Sequence, residues 1–116
     1  MKKKKRKRVS QLQFGKFTIK GWSCISYDCW RRNIVDYTES YHHHVGYIEI
    51  VFNTDKYWDC DIYHHFISDM FYKMYSLPKS PPSWFLSHCK TFNHLEEGKK
   101  FVDNFLHKLV KMKVFL

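Results

Sequence analysis

Alanine does not occur in this chain of 116 residues. Glycine and arginine occur four times each and proline three times, against 16 lysines. Phe, Tyr and Ile are plentiful. This usage suggests an AT-rich coding sequence, of the kind carried by phages, mobile elements and some intracellular microbes. Long apolar runs are also missing, and none approaches the roughly 20 residues a membrane-spanning helix needs. After Arg8 the chain continues "VSQLQFGKFTIKG", which is polar and alternating and does not read as the apolar core of a signal peptide. The expected setting is intracellular: cytoplasmic in a bacterium or phage host, nuclear in a eukaryotic cell. The four cysteines are then reduced thiols. There is no internal repeat and no catalytic motif, so no enzyme activity is expected.

What the chain does have is basic charge and aromatic rings. Lys and Arg outnumber Asp and Glu by 20 to 11, a formal net charge of +9. Seven of the 20 lie in one run, Lys2, Lys3, Lys4, Lys5, Arg6, Lys7 and Arg8, leaving 13 against 11 elsewhere. The basic character therefore sits in an arm on a nearly neutral body. Phe, Tyr and Trp make up 19% of residues, more than a small core needs, so some rings are expected on a contact surface.

Along the chain, residues 1–11 read as a disordered arm, because like charges repel and no apolar anchor is present. Phe17, Ile19 and Ile25 alternate with Lys16, Thr18 and Lys20, a half-buried strand in which Gly21 marks a bulge or a bend. The stretch 33–38 is a short strand candidate. "SYHHHVGYIEIVFN" is the strongest strand, with Ile48, Ile50 and Phe52 on one face and Val45, Tyr47, Glu49 and Val51 on the other. Trp58, Ile62, Phe66, Met70 and Met74 recur every four residues and predict a helix that stops near Pro78. "PKSPPS" is a loop by composition, and "WFLSHCKTF" a short strand candidate. The last helix is capped by Asn93, with Glu96 three residues on. Its apolar stripe is Leu95, Val102, Phe105, Leu106, Leu109 and Val110, and Gly98 beside it allows close packing on a sheet. The expected fold is α+β: a small antiparallel sheet of three to four strands with two amphipathic helices packed on one face. Residues 12–116 would form a single domain.

Spacing bears on metal and catalytic chemistry. His42, His43 and His44, His64 and His65, and His88 with Cys89 are candidate ligands, beside Cys24, Cys29 and Cys60. Zinc sites usually take close pairs. Cys24 and Cys29 make one such pair, but Cys60 and Cys89 are solitary, so no metal and no cofactor is expected. Asp61 and His65, four apart on the expected helix, could orient an acid–base pair, with Cys60 or Cys89 as a nucleophile. The same spacing serves an ordinary surface pair.

The arm carries the functional reading. "KKKKRKR" resembles the basic class of nuclear-import signals, a likeness confined to those seven residues. A phosphate-binding arm is the reading preferred here. Membrane attachment would need a second, apolar signal, and none is adjacent. Lys16, Lys20, Trp22, Arg31 and Arg32 extend the arm onto the first strands, interleaving cations and rings as single-stranded nucleic acid binding requires. The expected function is a small non-enzymatic protein associated with RNA or DNA. The alternative is a protein-binding inhibitor module of phage or mobile-element origin. It would block a host nuclease or another complex that itself binds nucleic acid.

Overall fold

A computed structural model describes residues 11–38, 43–75 and 87–112. The basic run, His42 and the proline-rich loop lie outside the described residues, as do the side chains of His43, His88 and Cys89. Eight elements follow in chain order. They are β1 (Leu12–Phe14), β2 (Phe17–Ser26), β3 (Cys29–Asp36), β4 (His43–Phe52), β5 (Trp58–Tyr63), α1 (His65–Met74), β6 (Ser87–Phe92) and α2 (Leu95–Lys111).

All six strands belong to one antiparallel sheet, in the spatial order β1-β2-β3-β4-β5-β6. Each strand pairs with the next, the simplest antiparallel connection. Gly15, at φ 60°, starts the two-residue turn between Phe14 and Phe17, a position that demands positive φ. The sheet curls into a half-barrel. Its register shifts in the β2–β3, β3–β4 and β5–β6 pairs account for the curl, because an extra residue bends a strand and increases its twist.

The expected sheet of three to four strands with two helices packed on it is therefore corrected to a six-stranded half-barrel that dominates the molecule. The reason lies mainly in β5. Trp58, Ile62 and Phe66 are four apart, and four is also an even number. Trp58, Cys60 and Ile62 share one face of a strand, with Cys60 and Ile62 in the core. Helical spacing holds only after His64, which caps α1 by accepting the Ile67 N–H on Nδ1 at 3.2 Å. β1 adds a further strand at the start of the expected domain, where no element is predicted, and β3 is longer than the predicted 33–38.

The core lies inside the curl. Ile19, Ile34, Ile48, Ile50 and Ile62 come from the sheet. α1 adds Ile67 and Phe71; α2 adds Val102, Phe105, Leu106 and Leu109. Full burial of one such side chain contributes about 1.5–3 kcal/mol. α2 crosses the sheet from β4 and β6, where Gly98 meets Ile50 and Phe92, to β2 and β3 at Asp103, and it also reaches β1. A Cβ at position 98 would lie 3.1 Å from Ile50 Cδ1 and 3.2 Å from Phe92 Cδ2, so the predicted close approach is real. The cap differs from expectation: His94, not Asn93, is the N-cap, and its side chain makes no capping bond. Glu96 and Glu97 at the start and Lys108 and Lys111 at the end complement the helix dipole.

Candidate nucleic-acid interface

The cations expected on the first strands are mostly committed to partners. Lys16 lies 3.6 Å from Asp36. Lys20 donates to the Tyr37 hydroxyl at 3.2 Å. Arg31 bonds Glu49 through Nε at 2.8 Å, and its guanidinium lies 4.2 Å from the centre of the Tyr47 ring. The cross-strand row Arg31, Glu49, Asp61 sets one cation beside two carboxylates, so this part of the outer sheet face is not basic.

Two of the candidate residues point the other way. Arg32 is 1% exposed; its Nε donates to the Lys20 carbonyl and its Nη1 to Asp103 Oδ1, both at 2.8 Å. Trp22 Nε1 donates to the same Asp103 oxygen at 2.9 Å. The register shift between Ile19 and Trp22 explains this. The extra residue, beside the predicted bulge at Gly21, resets the alternation and turns Trp22 inward rather than alongside Lys16 and Lys20. The same reset puts Ile25 on the outer face, half exposed instead of in the core, and a second shift follows between Cys24 and Ser26. Arg32 and Trp22 thus hold α2 to the sheet.

Among the described residues no three His, Cys, Asp or Glu groups are placed to hold a metal ion. Cys24 is exposed and Cys60 lies in the core. Cys29 lies 3.5 Å from Glu49, and burial, followed by that carboxylate, pushes its thiol up to about 11. It is therefore no thiolate nucleophile at neutral pH. Asp61 is on β5 and His65 on α1, so the expected i,i+4 helix pair does not form. His65 instead lies 3.7 Å from Asp69 on exposed helix surface.

Other residues take the surface that the first strands do not supply. On α2, Lys100, Lys108 and Lys111 are exposed and form no ion pair among the described residues; Lys108 lies over the Tyr75 ring at 5.8 Å. Asp103, the one carboxylate in 98–112, is occupied by Arg32 and Trp22. At the far end of the sheet two turns carry exposed rings. Tyr27 is 85% exposed, and Phe52 and Tyr57 about two-fifths. The Phe52 N–H donates to the Asp28 carbonyl at 2.9 Å and ties the two turns together. The sequence contained a signal for these rings: Tyr27 sits between Ser26 and Asp28, and Tyr57 follows "NTDK". A ring inside a turn-forming stretch cannot easily reach a core.

Comparison with protein-family models, curated proteins and solved structures gives no match. No helix among the described residues is long and apolar enough to cross a membrane.

Proposed function

We propose that the chain is a small non-enzymatic protein associated with nucleic acid. It holds the phosphate backbone with Lys2–Arg8 and with the outer lysines of α2. The observation that supports this is the contrast between paired and unpaired cations. Lys16, Arg31 and Arg32 are neutralised by Asp36, Glu49 and Asp103. Lys100, Lys108 and Lys111 form no such pair among the described residues, and the arm adds seven positive charges in sequence. The proposed contact surface therefore lies on α2 and not on the face of the first strands. No metal or cofactor enters this reading.

The test is the salt dependence of binding. Each phosphate contact contributes about −0.7 to the slope of log affinity against log salt for single strands, and about −0.9 for duplex. Deleting residues 2–8 should flatten the slope by roughly 3, half of what seven fully engaged charges would give. Changing Lys100, Lys108 and Lys111 together to Glu should flatten it further. Affinity near 0.15 M salt that neither change reduces would overturn the proposal.

A further inference from the structure

The outermost line of α2 runs Lys100, Asn104, His107 and Lys111. Their spacing keeps them on one face of the helix, and each is exposed. Lys108, also exposed, lies beside that line. The buried residues Gly98, Val102, Phe105, Leu106 and Leu109 take the opposite side, against the sheet. Charges on the flanks are already engaged. Lys99 covers the Trp30 ring at 3.7 Å, and Asp103 accepts from Arg32 and Trp22. Neither Asn104 nor His107 makes a side-chain hydrogen bond among the described residues. The line therefore presents cations at both ends and uncommitted hydrogen-bonding groups between them, with no carboxylate on it.

That order matches the cross-section of a DNA groove. The helical rise sets Lys100 and Lys111 about 16 Å apart along the axis. The major groove of B-form DNA is about 12 Å wide and admits an α-helix. A helix lying obliquely in it brings the two lysines to the phosphates of opposite walls, with Lys108 as a further contact. Asn104 and His107, about 4.5 Å apart in rise, then face the base edges. Asparagine is the side chain that pairs in two hydrogen bonds with the N6 and N7 edge of adenine. Glu96 and Glu97 in the first turn repel phosphate, which confines the contact to residues 100–111. A-form RNA has a major groove too deep and narrow for side chains to read, and a single strand has no second wall.

We infer that α2 enters the major groove of duplex DNA, where Lys100, Lys108 and Lys111 hold phosphates and Asn104 reads adenine. This rests on the proposed function and adds the class of nucleic acid and a base preference. The lysines position the helix without sequence information, and the selectivity comes from Asn104.

The experiment measures fluorescence anisotropy of labelled DNA duplexes of about 16 base pairs at about 0.15 M salt. One duplex alternates adenine and thymine; the other alternates guanine and cytosine. The first offers an adenine edge in every register, so no particular site has to be known. The full chain should bind it at least about fivefold more tightly than the second. Asn104→Ala should bring the first affinity down to within about twofold of the second. Alanine suits an exposed helix position, so a thermal melt should show this variant folded. Lys100→Gln/Lys111→Gln should weaken both duplexes by a similar factor and keep the preference. A preference that survives Asn104→Ala would overturn the inference while leaving the proposed function standing. So would equal binding of the two duplexes by the wild-type chain, or binding of an adenine–uracil RNA duplex or a single strand as tight as that of the first duplex. A wild-type chain that binds none of these nucleic acids would sink the proposed function itself.

Discussion

Arg32 and Asp103 lie 71 residues apart in the chain and meet at 2.8 Å, with the guanidinium almost fully enclosed. Burial lowers the pKa of Arg32, and the Asp103 carboxylate opposes that shift. The pair joins the last helix to β3, and the Trp22 indole bonds the same oxygen from β2. Asp103 is itself partly open to water, so the carboxylate is not fully desolvated.

Asp103→Ala should leave a buried cation without its counter-ion. The expected loss is about 3 kcal/mol, a large share of the roughly 5–15 kcal/mol of a small domain. Arg32→Met combined with Asp103→Ala removes the charge as well and should recover at least about 1 kcal/mol of that loss. Denaturant unfolding of both variants checks the relation. A double variant less stable than the single one would mean that the pair is not what holds α2.

Two glycines should behave very differently. A Cβ at Gly46 would stand 2.1 Å from the Tyr63 carbonyl oxygen, which is backbone of the adjoining strand. Gly46→Ala must push β4 from β5 and should cost more than about 3 kcal/mol. At Gly98 the obstacles are the Ile50 methyl and the Phe92 ring edge, which can shift by a few tenths of an ångström. Alanine also favours the helix by about 1 kcal/mol, so Gly98→Ala should change stability by no more than about 1 kcal/mol. Thermal melts of the two variants would decide the order.

Acid should weaken the fold through His64. Its Nδ1 accepts the Ile67 N–H, and its ring meets Phe17 edge-on at 4.8 Å. Burial, with a smaller contribution from His65, lowers the imidazole to about 4 from an ordinary 6.5. The unfolded chain therefore binds the proton first as pH falls. Stability is full above about 6.5 and declines from there toward 4, by at most roughly 3 kcal/mol. Asn can also cap a helix and does not titrate, so His64→Asn should flatten this decline. Urea midpoints across that pH range test it, and parallel curves for variant and wild type would refute it.

Phe105 tests the helix that the sequence announces most clearly. It is buried and meets the Phe71 ring at 5.2 Å, nearly perpendicular. Phe105→Asp places a charge there in apolar surroundings and should cost several kcal/mol. An unchanged denaturation midpoint would show that α2 is not part of the core.

Much of the architecture was legible where one pattern excluded the others. The stripe from Leu95 to Val110 fits only a helix; Val102, Phe105, Leu106 and Leu109 are buried, while Leu95 and Val110 are only partly so. Ile48 and Ile50 fit a strand and lie in the core. Gly98 was legible as a point of close approach. The segment 58–66 was not, because a spacing of four satisfies both periods over so few residues. That ambiguity hid β5 and, with it, the size of the sheet.

The candidate site was harder to read, because it depends on side-chain direction and on partners far along the chain. By itself the sequence determined the basic run, the near-neutral body, the last helix and the central strand, since each is a matter of composition or of short-range period. Only the tertiary structure decided which cations stay available. The bulge between Ile19 and Trp22 reverses the alternation beyond it, which sends Trp22 inward and Ile25 out to solvent. The partners of Arg31 and Arg32 lie 18 and 71 residues away, and no local pattern carries a pairing made by the folding of one strand or helix against another.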